Sequence, residues 1–327
     1  MNGKLTQLDG TTIETTADVV GEHLGGSEFF WLDLDGIDAQ SSTLLLDGFG
    51  FHPLAVEDAE HFGQRPKIEE YEGFTYFVVH GADADAPSVT VEVHVFYSEQ
   101  HIVTVHQGAC ATLDTVRSRL GKHRAAALSP PEISILYLVV DELVDSFFPV
   151  LSTFDDRIDE IEDAILKLPT EEQLGELFDM KRTLVSLRKV VTPQRDMFAG
   201  LLSGVSALPG MTRDDERYFR DLYDHLIRIS DLVDSYRDLL TGAMDTHIST
   251  VSNRLNVVMK QLSIIATIFL PLSFLTGFFG QNFSILVNQF LSDSWTFWVF
   301  GIGLEVAAVV GLMILFRRRG WLGGPTA

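Results

Sequence analysis

Basic side chains are scarce in this 327-residue chain: 24 Lys and Arg stand against 46 Asp and Glu, a formal net charge of -22. That excess argues against nucleic acid and anionic lipid surfaces as partners and favours cations, although a solvated acidic surface alone would give the same total. Cysteine is scarcer still. Cys110 stands alone, which excludes an internal disulfide and a thiolate metal cage and fits a reducing compartment. The opening MNGKLTQLDGTTIETT has neither a basic start nor an apolar run, so no secretory leader is expected. No phosphate loop, zincin motif or nucleophile elbow occurs; no catalytic residues are expected, and ATP-driven transport has no support. The most informative absence is local. No ionisable side chain lies between Gln261 and Ser292, and only Glu305 lies between Ser294 and Phe316.

Two stretches of that length predict a transmembrane hairpin, one span at about 261–280 and a second at about 295–316, followed by Arg317, Arg318 and Arg319. Arg254 and Lys260 precede the first span, and the connecting 283–293 segment has no Lys or Arg. The positive-inside rule then puts both termini in the cytoplasm, in a cell (inner or plasma) membrane. Trp295, Trp298 and Trp321 suit the bilayer interfaces.

The remainder reads as an α+β domain over 1–130, a helical stalk region over 131–254 and a membrane domain over 255–327. Strands are expected at Phe29–Leu34, Phe74–Val79, Val91–Tyr97 and His101–Val105, the last two separated by a hairpin-length Ser98-Glu99-Gln100. From Pro131 the pattern turns helical. One helix is expected from Glu132 to Leu168, and another from Thr170, where Thr170 and Gln173 have capping-box spacing. A last helix runs from Arg213 to Phe279, with Leu222, Leu226, Ile229, Val233, Tyr236 and Leu240 at heptad steps.

A second stripe on that helix is polar or small. Stepping by three and four from Asp245 meets Ser249, Ser252, Asn256, Met259, Ser263, Ala266, Leu270, Ser273 and Gly277. Inside lipid such a face means close helix packing or a wet path. Asp245 and Asn256 at its inner mouth favour the path, lined by several copies around one axis; a small-residue dimer seam is the alternative.

Two blocks then resemble one family, the CorA-type divalent cation transporters. ATIFLPLSFLTGFFGQNF, Ala266 to Phe283, resembles the end of that family's first membrane helix with its Gly-Met-Asn signature. FHPLAVEDAEHFGQRPKIEEYEGFTYFVV, Phe51 to Val79, resembles its His-Pro-Leu, Glu-Asp and Arg-Pro-Lys block. The resemblance implies a homopentameric funnel whose first membrane helices line the pore. It implies a selectivity filter at Gly280, Gln281 and Asn282, where Gln281 departs from the usual Met. Family pore positions fall at Asp245, Asn256, Met259, Leu270 and Ser273, on the stripe that also holds Ser263 and Gly277. Regulatory ions bound by acids between neighbouring subunits are implied too, with Asp83 or Asp85 facing Asp221 or Asp224.

Glu305 lies mid-span on a face shared with Gly301, Ala308 and Leu312, which suits packing on the first helix. His52, Glu57 and His61 match no standard zinc spacing and read as structural. His94, His101 and His106 read as surface or packing residues, and the acids from Asp155 to Asp163 as a solvated face. The expected function is a channel-type, potential-driven transporter of Mg²⁺ that tolerates Co²⁺ or Ni²⁺ and is gated by cytoplasmic divalent ions. A proton-coupled Zn²⁺ transporter of the same architecture is the alternative, hinted at by Gln281 and Glu305. A membrane-anchored scaffold that conducts nothing is the third.

Overall fold

The computed structural model describes residues 1–26, 28–83, 90–122, 131–281, 284–285, 288–289 and 294–321. Asn282 and Asp85 lie outside the described residues. The chain divides into two compact units, Met1–Asp245 and Thr246–Ala327.

In the first unit, strands β1 (Gly3–Gln7), β2 (Thr12–Thr15), β3 (Phe30–Asp35), β4 (Lys67–Tyr71), β5 (Phe74–Ala82), β6 (Thr90–Tyr97) and β7 (His101–His106) form one sheet in the order β2-β1-β3-β7-β6-β5-β4. Only the β3–β7 pair is parallel. Side-chain alternation sorts the sheet into two cores. Phe30, Leu32, Tyr76, Val78, Phe96 and Val103 pack on one face with Phe51 and Val56. Trp31, Phe77, Val79, Val95 and Ile102 pack on the other with residues of the long helices. All nine residues of β5 are buried, as expected of a strand covered on both sides.

The first core is roofed by α1 (Ala17–Leu24), the helical segment Leu44–Gly48 that continues α2 (Ala39–Thr43), and α3 (Pro53–Glu60). His52 caps α3, its Nδ1 accepting from the Leu54 N–H at 3.2 Å, with Pro53 at the first helical position. His61 Nδ1 contacts the Glu57 carbonyl at 2.8 Å. The His-Pro-Leu block is therefore a helix start rather than a metal motif. Lys67 of the Arg-Pro-Lys block sits between Asp58 (2.5 Å) and Glu69 (2.9 Å).

The second core is covered by α4 (Ala111–Lys122), α5 (Pro131–Asp145), α6 (Phe147–Lys167), α7 (Glu171–Leu202) and the start of α8 (Asp215–Phe279). The single helix expected from Glu132 to Leu168 is instead two, broken at Ser146. Pro149 explains the break: it has no N–H to offer the Asp145 carbonyl, and its ring crowds that oxygen. The break is used, because Ser146 Oγ accepts the Ala82 N–H at 2.7 Å. Gly81 is needed there, since a Cβ would lie 2.8 Å from Ser146 Oγ and 2.9 Å from the Leu143 carbonyl. The capping box at Thr170 and Gln173 is formed in both directions.

The six heptad residues of α8 from Leu222 to Leu240 are all buried. The acids of α6 are exposed apart from half-buried Glu162, as expected of a solvated face. His94, His101 and His106 are packing residues, none of them at the surface. The second unit holds the end of α8, the short α9 (Ser294–Thr296), a wide helical segment Phe297–Gly303, and α10 (Leu304–Arg318).

Candidate functional site

Among the described residues, two helices are long and apolar enough to cross a membrane, one within α8 and one over Trp298–Arg318, with mean hydropathies of 2.0 and 2.4. A soluble core helix of this composition would be buried; here no residue of the apolar window of α8 is. The second unit thus presents its oily surface outward.

Among residues 251–281, only Lys260, Ile264, Ile268, Pro271, Leu272, Leu275 and Phe279 are half-covered, and they share one face. On α10 and the segment before it, the covered positions are Gly301, Glu305, Ala308, Val309, Leu312 and Phe316, again one face. Lys260 Nζ donates to the Gly320 carbonyl at 3.4 Å, bringing the end of α10 beside the covered face of α8. Glu305 therefore lies on the packed side of its helix with Gly301, Ala308 and Leu312, the grouping expected from their spacing.

The polar stripe of α8 lies elsewhere. At about 100° per residue, Asn256, Met259, Ser263, Leu270, Ser273 and Gly277 point roughly half a turn away from the covered face. All six, with Asp245, are exposed. Ser263 Oγ donates back to the Met259 carbonyl at 2.8 Å. Its proton is thereby committed to the helix, and its lone pairs are left to accept from water. α8 ends at Phe279, and the N–H groups of Gly280 and Gln281 fold back onto Thr276 (2.9 Å) and Phe278 (3.3 Å). A Cβ on Gly280 would sit 2.9 Å from the Thr276 carbonyl oxygen, so this tight helix end needs glycine.

In the first unit the structure gathers a cluster that spacing did not reveal. Asp141, Asp145 and His225 offer ligand atoms all within 4.8 Å of one another. His225 Nδ1 is 3.0 Å from Asp145 Oδ1, and its Nε2 is 3.9 Å from Asp221 Oδ2. Burial, and then the neighbouring Asp145, raise the Asp141 carboxyl above the usual range, against opposing contributions from Tyr137, Arg119 and His225. Such a site gains from a divalent ion that offsets carboxylate repulsion. Of the acids named from the sequence, Asp221 adjoins this cluster. Asp224 is exposed and outside it, and Asp83 follows directly on Ala82, whose N–H meets Ser146 just beyond Asp145.

Residues 26–318 match the family described as CorA-like Mg2+ transporter protein. The putative metal ion transporter YfjQ of Bacillus subtilis is 35% identical over 295 residues, 90% of each chain. The cobalt/magnesium transport protein CorA of Thermotoga maritima is 33% identical over 296 residues, 89% of this chain and 83% of that one. The zinc transport protein ZntB of Yersinia enterocolitica is 27% identical, over 97% and 94%. The fold of the complete CorA magnesium transporter from Methanocaldococcus jannaschii superposes with a TM-score of 0.82 at 21% identity, covering 98% of this chain and 99% of that one. With its α/β domain, long helix and two C-terminal apolar helices, the chain belongs to the CorA-like Mg2+ transporter family.

Proposed function

We propose that the protein is a divalent metal ion transporter of the channel type, conducting Mg²⁺ and tolerating Co²⁺ or Ni²⁺. The observation that carries this reading is the placement of the polar stripe roughly opposite the half-covered face of α8. A face of Ser, Asn and Gly left uncovered by its own subunit is costly against lipid and is relieved when copies meet around water. Five copies are the number that the family resemblance implies. Asn282 and its neighbours Gly280 and Gln281 would form the outer filter, where amide oxygens hold a hydrated ion without stripping it. Met259 and Leu270 would close the path by dewetting, with Asp245 and Asn256 holding ions below them. An inside-negative potential favours each charge by about 2.3 kcal/mol per 100 mV, so a divalent ion needs no ATP.

The Asp141, Asp145 and His225 cluster with Asp221 supports a second element, a regulatory cation site. An ion there would tie α5 to α8, and its loss would free the helix that continues toward the membrane. Whether Asp83 or a neighbouring copy completes the shell is answered by substitution at each acid.

Flux into sealed vesicles tests the reading. Mg²⁺ influx driven by potential alone, lost in Asn282→Ala, is the expected result. Zn²⁺ influx that requires a proton gradient would favour the zinc transporter reading, for which Gln281, Glu305 and the likeness to ZntB speak. No flux of any divalent ion would favour a non-conducting scaffold.

A further inference from the structure

A groove of about 650 Å³ opens on the first unit between the loop after α3, the middle of α7 and the side of α8. In a chain of net charge -22 its walls carry Arg65, Arg188, Lys189 and Arg237 and no carboxylate. Arg188 and Arg237 share one acid, Asp234, at 3.2 and 3.5 Å, and Arg237 also reaches Asp238 at 3.4 Å. Arg65 and Lys189 have no ion-pair partner among the described residues. The balance inside the groove is therefore positive against the sign of the whole molecule.

The walls are held in place from behind. Glu92 of β6 accepts the N–H groups of Gly63 (2.6 Å) and Gln64 (3.1 Å), which fixes the loop presenting Arg65. His94 Nε2 lies 3.0 Å from Glu92 Oε1, the oxygen that accepts from Gln64. On α7 the buried Gln194 brackets the His80 backbone, accepting from its N–H at 2.7 Å and donating to its carbonyl at 3.1 Å. Both cationic walls are thus locked to the paired strands β5 and β6. Such preorganisation lowers the cost of gathering like charges around a ligand.

We infer that this groove binds a polyphosphate anion, a nucleoside triphosphate recognised through its phosphates. Guanidinium forks and an ammonium group are the side chains that best pair with several phosphate oxygens at once. The volume suits a small-molecule ligand, and one orthophosphate would leave most of it unfilled. No aromatic ring lines the groove, so nothing there stacks on a base and little preference among bases is expected. All the lining residues lie in the first unit, so the ligand would bridge α7 and α8 there and its binding can be measured apart from ion flux.

Titration calorimetry of the full-length protein in detergent, with ATP, inorganic tripolyphosphate and adenosine as separate probes, tests this. Saturable binding of ATP and tripolyphosphate, absent for adenosine and weaker at higher ionic strength, is the expected outcome. The double variant Arg65→Gln, Lys189→Gln should weaken it ~10-fold or more, while size-exclusion and circular dichroism profiles stay unchanged. If that variant misfolds, Lys189→Ala alone takes its place. The inference is overturned if neither polyphosphate binds, if adenosine binds as well as ATP, or if the variant binds as tightly as the wild type. Loss of the assembled state in a variant whose parent binds no polyphosphate overturns it too, assigning the four cations to a contact between copies.

Discussion

The two halves of α8 use one spacing for opposite purposes. From Leu222 to Leu240 the heptad positions are apolar and buried inside the subunit, where they help close the second core. From Asn256 to Gly277 the same three-and-four rhythm carries small and polar residues that the subunit leaves open. A buried apolar seam is satisfied by its own chain, whereas an open polar seam among oily neighbours calls for partners or water. Period alone therefore fixes that a helix face is continuous, and composition says what the face meets.

Substitutions in the two halves should differ in kind. Leu226→Ala removes a fully buried side chain and is expected to lower stability by about 2–5 kcal/mol, seen as a fall in the thermal midpoint of the detergent-solubilised protein. Leu270→Ala, on the open seam, should leave that midpoint nearly unchanged and raise leak through the closed state in vesicle flux. If both variants lose the same stability, the seam is an ordinary core and the contrast fails.

His101 sharpens the comparison from the soluble side. It is buried against Phe30, Phe49 and Phe51, and desolvation lowers its pKa from 6.5 to about 4. The unfolded chain binds a proton there before the folded chain does, so stability is complete above about pH 6.5 and falls as pH drops toward 4. The full loss is of order 3 kcal/mol. Thermal midpoints measured from pH 7 to 5 should decline in the wild type and decline less in His101→Phe; parallel curves would show that another group titrates.

The Asp141, Asp145 and His225 cluster comes next in size. Asp141→Asn or His225→Ala should raise the Mg²⁺ concentration needed to suppress flux ~10-fold, a change of about 1.4 kcal/mol, with little change in maximal flux. Unaltered Mg²⁺ inhibition would clear these residues. The smallest effect is expected at Ser263→Ala, which removes one acceptor from the open seam while keeping the helix; maximal Mg²⁺ flux should fall by no more than a few-fold, and a thermal shift instead would point to packing.

Sequence spacing revealed the sheet's centre and missed its edges. β3, β5, β6 and β7 announce themselves through β-branched and aromatic runs. β4, Lys-Ile-Glu-Glu-Tyr, does not, because an edge strand tolerates charge on its faces and charge discourages edge-to-edge pairing. β2, at the other edge, is short and polar for the same reason, and β1 beside it is short as well, although Asp9-Gly10 and Glu72-Gly73 are turn signals that flank all three missed strands. The grouping of Glu305 with Gly301, Ala308 and Leu312 was readable because one helix carries all four. The cation cluster was not. Asp141 and Asp145, and Asp221 and His225, are two pairs at helical i,i+4 spacing, but only the packing of α5 on α8 joins them across 80 residues.

The most direct measurement of the central claim is thiol accessibility along α8 in assembled protein in a bilayer. Ser263→Cys and Ser273→Cys are exposed to a small cationic water-soluble thiol reagent, with Ile314→Cys on the uncovered side of α10 as the lipid-facing control. The native Cys110 is buried, and burial raises its thiol pKa, so it adds little background. Reaction at Ser263→Cys and Ser273→Cys that blocks flux, with Ile314→Cys unreactive, is the predicted result. Both seam positions inert to the aqueous reagent, or labelled only by a lipid-soluble one, would contradict a wet path along this face.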